Sequence, residues 1–304
     1  NLAMEVSDAE RNEMFERAWE KGGLRFRSVF HDLLNSSQAN NTAAEFIKSK
    51  IRKIVKNPET AHTLSDIDHP YAAKRPPIDT NYFETFNKQS VTLVDLKVDP
   101  ISEIIPSGVL LKSGAEHKLD TLVFATGFDA MTGPLLNLDI TGRTEPLTDY
   151  WRAGPLSYLG LAIPNFPNMF TITGPGSPSV LTNMPVSIEQ HVDWITDCIN
   201  FCMQNGVETI EAEVGAAEGW VAHVREAADV TLLPEAKNSW YWGANIPGKP
   251  RVFMPYAGGL VRYREICESA ARDGYTGFSF LQRGHKKIMN KLDYQQWLYD
   301  GLGV

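Results

Sequence analysis

Hydrophobic positions in the first third of the chain recur at helical spacing. Ser7-Asp8-Ala9-Glu10 has the form of a capping box, and the helix that it opens is expected to end at Gly22-Gly23. A second helix is expected from Asn41-Thr42, with Phe46, Ile47, Ile51, Ile54 and Val55 on one side and Pro58 as its stop. From Val91 the period changes: Val91 to Leu96, Gly108 to Lys112 and Leu119 to Thr126 read as strands separated by Pro, Gly and Ser, which puts an α-to-β boundary near residues 70 to 90. Further on, Ser157 to Ile163 and Asn168 to Thr173 are strand-like. Pro185 opens a long helix through Ile188, Val192, Ile195 and Ile199 that Gly206 closes, and helices follow over Ala216 to Ala228 and Leu260 to Ala271.

Two runs stand out, Leu119 to Asp129 and Asn168 to Ser177. Each is a short, nearly continuous apolar segment suited to a strand covered on both faces, and each ends in glycine, where the backbone turns tightly or approaches another group. Strand ends of this kind are where open α/β sheets bind ligands.

Composition adds limits. With 43% hydrophobic and 22% charged residues the chain has the make-up of a soluble globular protein, and its 304 residues allow one large or two ordinary domains. A net charge of -8 argues against a nucleic-acid partner, since phosphate binding needs a basic surface. No apolar run reaches the ~18 residues of a membrane helix and no signal peptide opens the chain, so no membrane association and a cytoplasmic setting are expected. The three cysteines, Cys198, Cys202 and Cys267, are too few for a disulfide framework. His191, Cys198 and Cys202 share a helix face; small apolar packing explains that spacing better than a metal, which needs further donors. Arg283, Lys286, Lys287 and Lys291 in the tail read as a solvated face.

Ala73-Lys74-Arg75, Ala125-Thr126-Gly127, the segment from Asn168 to Trp194, and Ser239-Trp240-Tyr241-Trp242-Gly243-Ala244-Asn245-Ile246-Pro247-Gly248-Lys249 occur in this order. With these motifs the chain, up to about Phe280, resembles the Baeyer–Villiger monooxygenases, especially the phenylacetone and cyclohexanone monooxygenase branch. That resemblance implies an α/β flavoprotein with FAD and NADPH Rossmann-like domains and a helical insertion. It implies a reaction in which one oxygen atom of O2 is inserted next to a ketone carbonyl through a C4a-peroxyflavin, with NADPH as reductant and an ester or lactone as product.

The family's two GxGxxG fingerprints are absent, as is the His- and Trp-containing fingerprint between them. Gly174-Pro175-Gly176-Ser177-Pro178-Ser179 lacks the last glycine, and Pro175 removes an N–H from any phosphate cradle. The chain also opens on Asn1. It therefore reads as a C-terminal portion in which both nucleotide domains are incomplete, with the missing N-terminal portion as a partner. The resemblance divides it into a helical insertion (1–69), the returning part of the NADP domain (70–118), the returning part of the FAD domain (119–281) and a tail (282–304).

Site residues follow from the same resemblance. Arg75 matches the catalytic arginine, and a fixed positive charge suits a mechanism that keeps a peroxide deprotonated and stabilises an oxyanion. Lys74 matches the lysine that selects the 2′-phosphate of NADPH. Without the resemblance, the two are an ordinary exposed basic pair. Trp240 matches the tryptophan of a mobile loop that folds over the nicotinamide cofactor, although an isolated tryptophan reads as packing. Ser179, Val180 and Leu181 match a loop bordering the ketone pocket, and Met184 a residue near the flavin. Asn183 and Gln190 either donate to a flavin carbonyl or cap and face solvent. Asp129, with no paired carboxylate nearby in sequence, reads as a structural or hinge residue. Two other readings stand beside ketone oxidation: a related flavin monooxygenase oxidising nitrogen or sulfur, and a non-catalytic remnant or interaction module.

Overall fold

The computed structural model describes residues 1–282 and a two-residue strand at 288–289. The architecture is α/β, and the chain separates into two compact units, Asn1–Phe128 and Asp129–Val304.

In the first unit, helix α1 spans Asp8–Lys21, with the Ser7 hydroxyl accepting from the Glu10 N–H at 3.3 Å and Gly22 ending it at φ 66°. Helix α2 spans Ser37–Ile54 and starts earlier than the apolar pattern suggests, because Ser36 supplies the cap by accepting from the Ala39 N–H. Pro58 does more than stop α2: it occupies the first turn of α3 (Pro58–Ser65), capped by Asn57. Phe15, Phe26 and Phe30 form an aromatic core against Phe46, with Phe15 and Phe26 stacked at 5.0 Å. A single turn, α4 (Tyr82–Thr85), precedes an antiparallel meander of β1 (Ile101–Ile105), β2 (Gly108–Leu111) and β3 (Glu116–Lys118).

Two expected strands in this unit are not strands. Val91 to Leu96 is irregular, and so is Leu119 to Thr126, where Val123 is 78% and Phe124 70% exposed. Apolar character alone does not make a strand. A ladder needs a neighbour to accept its N–H groups, and among the described residues no strand pairs with either segment beyond the Leu119 N–H bonding the Ser107 carbonyl at 3.0 Å.

The second unit begins with the turns α5 (Gly133–Leu136) and α6 (Leu147–Tyr150) over a small core of Leu147, Trp151, Ile163 and Phe166. Helix α7 (Met184–Gln204) carries Pro185 in its first turn, as its sequence implies, and is followed by β4 (Val207–Ala212), α8 (Val214–Asp229) and α9 (Leu260–Arg272). Strand β5 (Phe278–Gln282) pairs antiparallel with β4, and β6 (Ile288–Met289) adds to its other edge. Both sheets are antiparallel and three-stranded.

Ser157 to Ile163 and Asn168 to Thr173 are likewise not extended strands. The Tyr158 N–H bonds the Ala162 carbonyl at 2.8 Å, reversing the chain within five residues, so only isolated bridges Tyr158–Ala162 and Ala162–Phe170 form. Cys198, Cys202 and Cys267 are buried in the main core beside Trp194, Trp220 and Tyr263. Burial raises the Cys267 thiol to about 12, against hydrogen bonds from Tyr263 and Gln190 that lower it, which keeps it neutral. Among the described residues no group of three or more His, Cys, Asp and Glu side chains could hold a metal, and no helix is long and apolar enough to cross a membrane. The basic tail positions Arg283, Lys286, Lys287 and Lys291 lie outside the described residues.

Candidate functional site

Lys74 and Arg75 sit in the first unit on an irregular segment, Lys74 half-buried and Arg75 exposed. The segment is held from both ends. Upstream, the Ala73 N–H closes a turn on the Pro70 carbonyl at 3.1 Å, Ala72 takes a left-handed φ of 61°, and Ala73 is fully buried. Downstream, Pro76 confines Arg75 to an extended backbone. Below the turn, Asp68 hydrogen-bonds His69 at 3.0 Å and Lys97 at 3.3 Å. The His69 bond chiefly, then the Lys97 bond and the charges of Lys97 and Lys74, hold the Asp68 carboxyl at about 2 against its partial burial. A permanent carboxylate therefore lies within electrostatic reach of Lys74.

In the second unit the loop from Thr171 to Leu181 leads into α7. Its glycines answer to the protein's own packing. A Cβ on Gly176 would meet Trp220 Nε1 at 2.9 Å, and one on Gly174 would meet Thr171 Oγ1 at 2.5 Å. Gly127, in the first unit, differs: its φ of 91° requires glycine, yet nothing lies within 4 Å of a Cβ built there. Two loop residues take left-handed backbones without being glycine, the β-branched Thr173 at φ 54° and Ser179 at φ 42°, and strain of this kind persists only where surroundings impose it.

The element that imposes it on Thr173 is His191, which is fully buried on α7. The Thr173 N–H donates to His191 Nδ1 at 2.9 Å, so the ring proton resides on Nε2. That nitrogen faces Tyr263 Oη at 2.9 Å, which in turn donates to the Leu159 carbonyl at 2.7 Å. Burial lowers the His191 pKa to about 4 and keeps the ring neutral. The sequence offered His191 as a face-mate of two cysteines; its role as an anchor for Thr173 shows only in three dimensions.

Ser179 is buried with its hydroxyl toward Met131 Sδ, whereas Val180 and Leu181 are half-buried against the main core. Asn183 is exposed at the N-cap position of α7 but its side chain makes no cap bond, and Met184 is half-buried beside it. Gln190 turns inward and bonds the Cys267 thiol, leaving its Oε1 buried without a partner. Ser187, in the first turn of α7 and fully buried, also has an Oγ with no partner.

Trp240 opens a turn (Trp240–Trp242) capped by Ser239, whose hydroxyl accepts from the Tyr241 N–H at 3.2 Å, and closed by Gly243 at φ 67°. Trp240 is half-buried, edge-on to Tyr241 at 4.6 Å. Arg251 fastens the end of this segment by stacking on Trp242 at 5.2 Å and donating to the Lys237 carbonyl at 2.8 Å. Lys249 pairs with Asp129 and donates to the Ala130 carbonyl at 3.2 Å. Asp129 is thus an anchor in this unit; its partner Lys249 closes the Ser239–Lys249 motif, but nothing in the sequence pointed to their pairing.

These features fit a large polar cofactor. The start of α7 presents backbone N–H groups that no side chain caps, an orphaned buried hydroxyl in the same turn, and half-buried apolar neighbours at Val180, Leu181 and Met184. That set suits the oxygen-bearing edge of a flat ring system. Lys74 and Arg75 suit a phosphate or another anion.

No family model matches the chain. Curated relatives do. A Baeyer-Villiger monooxygenase of Pseudooceanicola batsensis is 45% identical over 274 residues, 89% of this chain and 49% of that protein. A cyclohexanone 1,2-monooxygenase of Acinetobacter is 44% identical over 94% of this chain and 52% of its own length. A phenazine N-monooxygenase of Lysobacter antibioticus is 44% identical over 91% of this chain and 51% of its own. Among solved structures, an oxidized steroid monooxygenase bound to NADP superposes with a TM-score of 0.86 at 45% identity, covering 93% of this chain and 53% of that one. OTEMO in complex with FAD and NADP gives 0.86 at 36% identity, over 92% of this chain and 52% of that one. The chain spans about half the length of the relatives it matches. With sequence and backbone in agreement over nine-tenths of its residues, the chain belongs to the Baeyer–Villiger monooxygenase family.

Proposed function

We propose that this chain carries the catalytic arginine and the cofactor- and ketone-facing segments of a flavin-dependent Baeyer–Villiger monooxygenase that uses NADPH, O2 and a ketone. The observation that carries this reading is 44–45% identity to a Baeyer-Villiger and a cyclohexanone monooxygenase over 89–94% of the chain. When bound, FAD supplies activated oxygen derived from O2, and NADPH supplies the electrons.

The chain's own residues do the rest. Arg75 directs its N–H fork at the anion that attacks the carbonyl and at the oxyanion that develops there. Lys74 places an ammonium against the 2′-phosphate. Val180 and Leu181 exclude water from the ketone, and the α7 N-terminus with Met184 and Asn183 orients the flavin. Trp240 stacks on the nicotinamide, and in the proposed division residues 70–118 serve the NADP domain and 119–281 the FAD domain.

The reading is tested by assaying the purified chain for bound flavin and for NADPH and O2 consumption with cyclohexanone and with phenazine as alternative substrates. Ester or lactone formation that requires Arg75 supports ketone oxidation. N-oxide formation without ester formation would move the assignment to nitrogen chemistry, for which a relative at 44% identity is named. A folded chain without flavin or turnover would mark it as non-catalytic.

A further inference from the structure

Asn40 is 1% exposed, closes the first turn of α2, and makes three hydrogen bonds through its amide. Its Nδ2 donates to the Leu33 carbonyl at 2.6 Å and to the Tyr71 carbonyl at 2.9 Å, while its Oδ1 accepts from the Tyr71 N–H at 2.8 Å. One side chain thus pairs with both backbone groups of a single residue as a neighbouring strand would, at a point where the backbone has no ladder. Tyr71 is the residue so held, and its ring packs edge-on to Phe26 at 5.4 Å. From Tyr71 the chain runs through left-handed Ala72 and fully buried Ala73 directly into Lys74 and Arg75.

We infer that Asn40 is the positioning residue for the Lys74–Arg75 pair. The Asn40 amide fixes the φ and ψ of Tyr71. The tight turn transmits that constraint across three residues, and Pro76 fixes the far side, so that two long cationic side chains leave a backbone with little freedom. Preorganisation of this kind lowers the entropy lost when the pair engages an anion. An alanine at position 40 would leave the Leu33 carbonyl and both Tyr71 groups without their partner and free the turn. The significance for catalysis rests on the role proposed above for Lys74 and Arg75; the mechanical claim does not.

The test uses the 304-residue chain with Asn40→Ala, and with Asn40→Ser as a second variant whose hydroxyl satisfies itself on its own helix if alanine fails to fold. Amide exchange read by mass spectrometry is expected to quicken about tenfold over residues 71–75, with α1 and α3 unchanged. Trypsin is expected to cut after Lys74 about tenfold faster, since the Arg75-Pro76 bond is resistant. Unchanged exchange and cleavage at 71–75 in a folded variant would overturn the inference.

Calorimetric titration with 2′,5′-ADP, which carries the 2′-phosphate without the nicotinamide, separates the two levels. Weakening of about tenfold in both Asn40→Ala and Lys74→Ala supports positioning for an anion. A loosened segment in Asn40→Ala, with Lys74→Ala indifferent to 2′,5′-ADP, would refute the functional role of Lys74 while upholding Asn40 as its anchor.

Discussion

Arg75 concentrates the proposed chemistry in one side chain whose backbone is constrained while its guanidinium is exposed. Replacing it by alanine should lower ketone-dependent turnover by about 10²–10³, the usual cost of removing one donor to a developing oxyanion. Lysine should fail to restore it, because a point charge does not reproduce a two-pronged donor; steady-state kinetics of both variants is the check. His191 yields a second expectation. Its folded pKa of about 4 lies below the ordinary 6.5, so between these values the unfolded chain binds more protons and stability rises with pH. The contribution is fully present above about 6.5 and is lost progressively down to about 4, on the order of 3 kcal/mol in all. Urea denaturation at pH 7 and pH 4 should show the decline in the natural chain. His191→Gln should be weaker at pH 7 and lose this dependence; an unchanged pH slope would mean another group is responsible.

Helices were legible, whereas of the five expected strands only Gly108 to Lys112 forms one, as β2, for a reason visible in particular segments. Helix α1 satisfies its own backbone, so Ser7, the apolar spacing and Gly22 contain nearly all the needed information. The same holds at α7, where Pro185 marks the start. Leu119 to Thr126 has an apolar pattern as strong, but a strand is defined by a neighbour that its own sequence does not contain, and the segment is exposed. Val123→Thr and Phe128→Ser should therefore shift stability by less than about 0.5 kcal/mol, whereas a buried strand would lose several; thermal melts distinguish the two. The loop glycines make a matching contrast. Gly176→Ala, which drives a methyl to 2.9 Å from Trp220 Nε1 at a φ of 92°, should destabilise by about 2–4 kcal/mol. Gly127→Ala, strained but unobstructed, should cost about 1 kcal/mol. Arg75 and Trp240 are candidates that the family motifs single out. Asn40, the pairing of Lys249 with Asp129 and the anchoring role of His191 were not legible, because each acts through a partner 18 to 120 positions away. One cue to Asn40 was available: it stands three and seven residues before Ala43 and Ile47, a polar residue on an apolar stripe.

Taken whole, the chain joins a unit carrying the Lys74–Arg75 pair to a unit carrying the α7 N-terminus and the Trp240 segment, and it matches about half of each relative at high identity. In a chain of net charge -8, the adjacent cations Lys74, half-buried, and Arg75, exposed, offer positive charge of the kind that recognition of an anionic cofactor requires. The most direct measurement is the absorption spectrum of the purified chain together with NADPH- and O2-dependent conversion of cyclohexanone, run beside Arg75→Ala. The account predicts a flavin spectrum and formation of the lactone in the natural chain, with flavin retained and lactone lost in the variant. A folded chain that binds no flavin, or lactone formation undiminished in Arg75→Ala, would contradict it.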